Sequence, residues 1–542
     1  MRKLSIHIFF CLVILAAACR NGDNLTVNHT DLLFERAAQN GKLANEGFSR
    51  CMNYVNAWLS LADSTTGLIP RNIIEKSGRD IWNAKDCAAD NYPFMVLTCS
   101  MLDREKFEGT MLRMLETETR ITSRIGSLPD TYSFSKKGFA RKNANLTDII
   151  FGSSEYVKDG LIPLTEWLGP SPWSERMIAI TTDEWKYAPV KTRSGNIISD
   201  DPEVNGDMLQ TLSRLYWFTG DRSFLDRAIL LGDHYLLGKN HPTRNFKILK
   251  LRDHGCEIVS GLCELYATVS FADTAKKKAY QAPVHEMLDR ILETGRNSDG
   301  LFYNSINPVK GAPVNGGLAD TYGYTLDGFY TVYMVDGTEK YREAVIKALS
   351  CLYDKYRSYP WEGPSADGYA DAIESALNLY AREQVPSAGQ WIDSEIKVMW
   401  NKQQQSGIIE GWHGDGNFAR TTIMYCLWKT LGTRLMPWRK DLEAGALKVD
   451  SLIYLSVAAE DDWTGKLIFD RKRHKEIMHL PSDWPRINQF PEYYPVEKEK
   501  NYRIRKYAMK ESVTLTGNDL LEGIPVSIKK GEHLKLIISE IK

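Results

Sequence analysis

The feature that most constrains what this chain can fold into is a helical hairpin that recurs along most of its length. From about Thr30 to Leu442, apolar residues fall at i, i+3, i+4 and i+7 in segment after segment; Ile258, Leu262, Leu265 and Val269 form one such stripe. Between the stripes stand short turns, each followed by an aromatic residue that opens a second, more charged helix. Examples are Leu168-Gly169-Pro170 before Trp173, Thr219-Gly220-Asp221 before Phe224, Asp336-Gly337 before Tyr341 and Leu431-Gly432 before Trp438. A helical hairpin cannot bury its own apolar face, so repeated hairpins must cover one another, in an open solenoid or in a closed ring. The repeats here are long and uneven, with insertions concentrated before the first helix of each pair, whereas a solenoid has shorter, near-constant units. The sequence therefore predicts a mainly α fold: an (α/α)6 toroid, or one of seven hairpins, over residues 31–444, with inner helices that begin at one face.

After about Gly445 the period changes to alternation. Stretches at 448–457, 466–469, 513–515, 525–528 and 533–538 read as short strands bounded by Gly, Asp and Asn. They predict a small β-sandwich-like domain over residues 445–542, packed against the ring. Residues 469–492 mix charges, aromatics and prolines, and read as a surface loop or a contact to the ring.

The chain opens with Met1-Arg2-Lys3 and an apolar run from Leu4 to Ala18, a charged segment and a hydrophobic segment too short to span a membrane in the mature protein. Residues 1–18 read as an export signal. The run ends Leu15-Ala16-Ala17-Ala18-Cys19, which resembles a bacterial lipoprotein signal with Cys19 lipidated and residues 19–30 as a linker. The expected location is the periplasm or outer membrane, held by the lipid alone, with simple secretion as the alternative. The 68 Lys+Arg against 69 Asp+Glu leave no surplus to neutralise phosphates, so nucleic acid is not an expected partner. The cysteines after Cys19 are scattered, with no C-x-x-C pair, and read as buried thiols.

Residues suited to chemistry gather at the predicted starts of the inner helices. One such stretch is Gly411-Trp412-His413-Gly414-Asp415-Gly416-Asn417-Phe418-Ala419-Arg420, whose glycines would let backbone approach a ligand. The catalytic candidates are Asp207, His254, Glu257, His413 and Asp415. The candidates for substrate binding are Trp82, Asp90, Asn205, Asp320, Tyr322, Tyr324, Trp412 and Arg420. A single Asp at a helix start is more often a cap than a catalyst, but several arrayed around one rim point to a site. No H-E-x-x-H and no Gly-rich phosphate loop after a strand occurs, so neither a metal nor a cofactor is expected.

An exported chain of six or seven hairpins, with Asp- and aromatic-rich inner-helix starts and a C-terminal β module, resembles the six-hairpin glycosidase-like proteins. These include unsaturated glucuronyl hydrolases and other uronic-acid-acting enzymes of glycan-degrading bacteria. The likeness spans residues 30–445 and includes Gly67-Leu68-Ile69-Pro70 after the first helix. It implies an acidic oligosaccharide or polysaccharide as substrate and an exported glycosidase. Hydrolysis needs one protonated and one ionised carboxyl group, with Asp207 and Glu257 leading and Asp415 third. The rival is β-elimination by a lyase or dehydratase, with His254, His413 or Tyr322 as base or acid and Arg420 or Asn205 on the substrate carboxylate. A non-catalytic glycan-binding lipoprotein is the third reading. The sharpest expectation is that His254, Glu257, His413 and Asp415 meet in one pocket, because closing a ring brings helix starts to one rim.

Overall fold

The computed structural model describes residues 29–193 and 195–541; the expected leader and Cys19 lie outside them. The linker expected to reach residue 30 is already helical at its end, since the first helix spans His29–Leu59.

Seven inner helices are described, and each packs on the next until the last meets the first. In chain order they are Tyr92–Leu102, preceded by a widened turn at Ala84–Asn91; Leu146–Glu155, which passes through a similar turn into Ile162–Leu168; and Pro202–Thr219. Glu257–Ala272, Tyr322–Asp336, Ala366–Tyr380 and Asp415–Thr430 complete the circle. Outer helices such as Thr274–Thr294, Glu339–Lys355 and Pro386–Trp400 back them, and His29–Leu59 is the outer partner of Asp415–Thr430. The ring is an α/α toroid with the larger of the two hairpin counts that the sequence allowed. The inner helices are buried nearly all round, as an inner wall must be, while the outer ones keep a polar face. The short strands between residues 81 and 313 lie in the connections, not in the wall.

The C-terminal strands form two antiparallel sheets. One runs in the order Leu442–Val449, Leu452–Ala459, His533–Ile541, Asn501–Lys506, Ser512–Thr516; the other joins Arg434–Met436, Trp463–Ile468 and Ile524–Ile528. Leu455, Val457, Leu467, Ile528 and Ile538 share one core between them. On the other face of the larger sheet, Tyr454 meets Phe34 of the first helix edge to face at 5.5 Å, which ties the module to the ring. Two sequence expectations need correction. The single strand expected over 448–457 is a hairpin that turns at Asp450, whose φ is +53°. The boundary expected at 445 falls inside a strand, and the first strand begins at Arg434.

Among the described residues no helix is long and apolar enough to cross a membrane. Six of the seven cysteines described are buried and Cys351 is partly so, all as free thiols.

Candidate active site

The starts of the inner helices surround a cavity of about 170 Å³. His254 and His413, about 160 residues apart in the chain, line the same cavity, together with Asp90, Tyr324, Trp412 and Arg420. Eight carboxyl side chains face it, against Lys85, Arg420 and His254 as cationic partners. Asp86, Asp253 and Asp367 stand at or just before the starts of inner-wall elements, whereas Phe151, Glu155, Asp159 and Asp371 lie further along theirs and Glu362 lies in a connection.

Protonation is unevenly spread among the side chains of the rim. His254 sits at φ +60°, which aims its Nδ1 at Glu203 Oε1, 2.7 Å away, and leaves Nε2 3.4 Å from Asp253 Oδ2. The Asp253 carboxylate, and then the bond to Glu203, push the imidazole up to about 11, so it is an imidazolium at neutral pH. Burial works against ionisation of Asp253, but His254 and Lys158 outweigh it and hold the carboxyl down at about 2. Asp367 accepts a 2.8 Å bond from Asn417 Nδ2, yet burial and then the neighbouring Glu362 push it up to about 8. Asp90 is raised as well, by burial and by Asp159, Asp367 and Asp86 around it. His413 lies 3.6 Å from Asp86 and 3.9 Å from Asp90, its ring 4.5 Å from that of Trp412. Burial lowers it to about 4 despite Asp86, so it is neutral near pH 7.

Arg420 anchors the inner wall. Its guanidinium reaches Asp371 at 2.5 Å and Glu374 at 2.7 Å, and donates to Asn417 and Asn488 at 3.0 Å each. Tyr324 donates to Glu374 at 2.9 Å. Lys158 is buried behind the wall, 2.8 Å from Asp159 and 3.8 Å from both Asp207 and Glu257.

Several candidates lie elsewhere. Asp207 and Glu257 are almost fully buried and gather about Lys158 instead of lining the cavity. Asp415 accepts the backbone N–H groups of Ile409, Glu410 and Gly411 and the Trp58 indole, so its carboxylate shapes the loop that carries Trp412 and His413. Asn205 donates to Ser199 O and to the Tyr235 hydroxyl. Tyr322 donates to Ala372 O beside Trp361. Asp320 accepts from the Thr321 N–H, and Trp82 is buried in a short strand against Tyr132. The glycines of the 411–416 turn also act differently from expectation. Gly411 supplies a φ of +84°, whereas a Cβ on Gly416 would stand 1.9 Å from Asp90 O; that residue lets two inner helices touch, not a ligand approach.

No protein-family model and no curated protein matches this chain. Solved structures that resemble it include a GH76A α-1,6-mannanase from Salegentibacter, at 11% identity over 53% of this chain and 90% of that one, TM-score 0.37. A glycoside hydrolase family 76 mannosidase from Bacteroides thetaiotaomicron, at 12% identity, covers 70% of this chain and 98% of its own, TM-score 0.39. Cellobiose 2-epimerase from Bacillus thermoamylovorans does so at 10% identity, again over 70% and 98%, TM-score 0.39.

Among the described residues, two triads have ligand atoms within 4.8 Å of one another, the spacing that could hold a cation: Glu155, Glu203 and His254, and His474, Asp483 and Glu492. In the first the imidazolium already supplies the positive charge; in the second Arg382 and Arg486 engage Asp483.

Proposed function

We propose that the protein is a glycoside hydrolase that cleaves neutral oligosaccharides by acid and base catalysis. The observation that carries this reading is the split between Asp367, protonated at neutral pH, and Asp253, ionised, in one cavity. Environments that push two carboxyls apart in this way fit them as general acid and as base or nucleophile. Trp412 and Phe151 offer apolar faces for sugar C–H groups. An acidic sugar, the substrate class implied by the family resemblance, would meet the ionised Asp253 in a lining where carboxyl groups outnumber cationic ones, so a neutral sugar fits better.

Elimination is the weaker reading for a specific reason. His254 is already protonated, Tyr322 is bonded away from the cavity, and a His413 lowered to about 4 is a poor acceptor for a carbon-bound proton. The test is turnover of a panel of neutral aryl glycosides. Asp253→Asn and Asp367→Asn should each lower kcat/KM by about 100- to 1,000-fold, and the wild-type rate should fall as pH rises through about 8, where Asp367 loses its proton. Turnover of uronate oligosaccharides with a new absorbance near roughly 235 nm would favour elimination instead. We propose also that the enzyme works in the cell envelope, held by lipid on Cys19; Cys19→Ser should release it from the membrane fraction.

A further inference from the structure

A residue from outside the ring bonds two of the side chains that line the cavity. Residues 483–490 leave the C-terminal module and enter the lumen between the inner helices, where Trp484, Arg486, Ile487, Asn488, Gln489 and Phe490 are each no more than 2% exposed. The ring grips this loop by its backbone: Thr331 Oγ1 donates to Pro485 O at 3.4 Å, Asn378 Nδ2 to Arg486 O at 2.9 Å and Arg214 Nη1 to Ile487 O at 3.4 Å. Three successive carbonyls are thus satisfied by side chains from three inner helices, which fixes where the next residue lies.

That next residue is Asn488, at φ +60°, a conformation that Asn tolerates better than most side chains. Its amide Nδ2 donates to Asp159 Oδ1 at 2.7 Å, its Oδ1 accepts from Arg420 Nη1 at 3.0 Å, and its backbone N–H donates to Glu374 Oε1 at 2.9 Å. Asp159 and Arg420 both line the cavity. An amide supplies a donor on one side and an acceptor on the other, so Asn suits a place between a carboxylate and a guanidinium, where Asp, Ala or Leu would leave a partner unmatched.

We propose that Asn488 is a positioning residue that fixes Asp159 and Arg420 for the reaction in the cavity, so that the active site is completed by the C-terminal module. The proposal rests on the reading of the cavity as a glycosidase centre. The test uses the full-length protein in a double-mutant cycle of Asn488→Ala with Asp159→Ala, which removes the acceptor that Asn488 Nδ2 bonds, followed by kcat and KM on the cleaved aryl glycoside and by circular dichroism for folding. Asn488→Ala should lower kcat about 10- to 100-fold with KM within about twofold, and that loss should largely vanish in the Asp159→Ala background. Equal losses in both backgrounds, or a loss confined to folded yield, would overturn the proposal. Should Asn488→Ala fail to fold, Asn488→Asp, which keeps the acceptor towards Arg420 and loses the donor towards Asp159, takes its place with the same expected loss. If the wild type cleaves no glycoside, the hydrolase reading fails; Asn488 is then read from calorimetric affinity for 1-deoxynojirimycin, a cationic sugar mimic suited to the acidic lining. Equal affinity in Asn488→Ala and wild type would overturn the positioning role.

Discussion

The two ends of the ring lumen both hold buried charges and use them in different ways. At the deep end oppositely charged side chains pair closely: Arg214 meets Glu264 at 2.9 and 3.2 Å, and Arg486 meets Glu166 at 3.2 and 3.4 Å. At the mouth, carboxyl groups outnumber cations, and Asp90 and Glu155 are pushed well up by burial and by one another's neighbours. Glu203 and Arg214 stand eleven residues apart on one inner helix, about 16 Å along its axis. The difference teaches that burial alone does not mark a site in this fold. Matched pairs hold the ring together, and the mismatch at the mouth is where protonation can be exchanged with a substrate.

The comparison is most easily broken at the deep end. Glu264→Ala would leave the buried Arg214 with only Glu166, 3.5 Å away and already shared with Arg486, so much of the roughly 3–5 kcal/mol that a broken buried pair costs should be lost; soluble yield and denaturant midpoint should both fall. Near-normal stability would mean that the deep pairs are ornaments of the lumen, not its framework. The next largest effect tests the border between the two regimes. Asp415 begins the helix that follows the Trp412–His413 loop but spends its carboxylate on three backbone N–H groups and the Trp58 indole. Asp415→Ala should cost about 2–4 kcal/mol from the donors left unmatched, with activity falling alongside stability. A variant as stable as wild type yet inactive would move Asp415 back among the catalytic residues.

The ring was legible because its signal is a period of 3.6 residues repeated over four hundred positions, and of the four residues expected to meet, closing it placed His254 and His413 in one cavity but not Glu257 or Asp415. What stayed hidden follows from local geometry. The inner helix after Leu146 reaches the cavity through Phe151, Glu155 and Asp159, four residues apart, so its active face starts a turn or two beyond Asp148, which lies outside with Arg141. Carboxylates at that spacing within an apolar helix were the available signal. Asp207 and Glu257 have the right residue types and the right helices, but nothing in a sequence tells a carboxyl on the cavity from one a layer behind it, about Lys158. Asn488 had no local signal beyond the mixed segment around it, because its partners come from elements about 70 and 330 residues away.

The smallest effect is also the most discriminating. In the folded chain Asp367 is raised to about 8, whereas in the unfolded chain it titrates near about 3.9. Between those values the unfolded state carries fewer protons at this group than the folded state. Stability must therefore fall as pH rises from about 4 towards 8, and level off above the folded value. Asn417 Nδ2 can still donate to the amide oxygen of an Asn at 367, so the local bond survives substitution. Asp367→Asn should thus stabilise the protein near neutral pH, by roughly 1–3 kcal/mol after relaxation and water take their share of the shift, while it abolishes most of the activity. Denaturant melts at several pH values give the sign: the advantage of the variant should be small near pH 4 and grow to a plateau above about pH 8. A variant less stable than wild type across this range would place Asp367 among the matched charges of the deep end, and the general acid would have to be sought at Asp90.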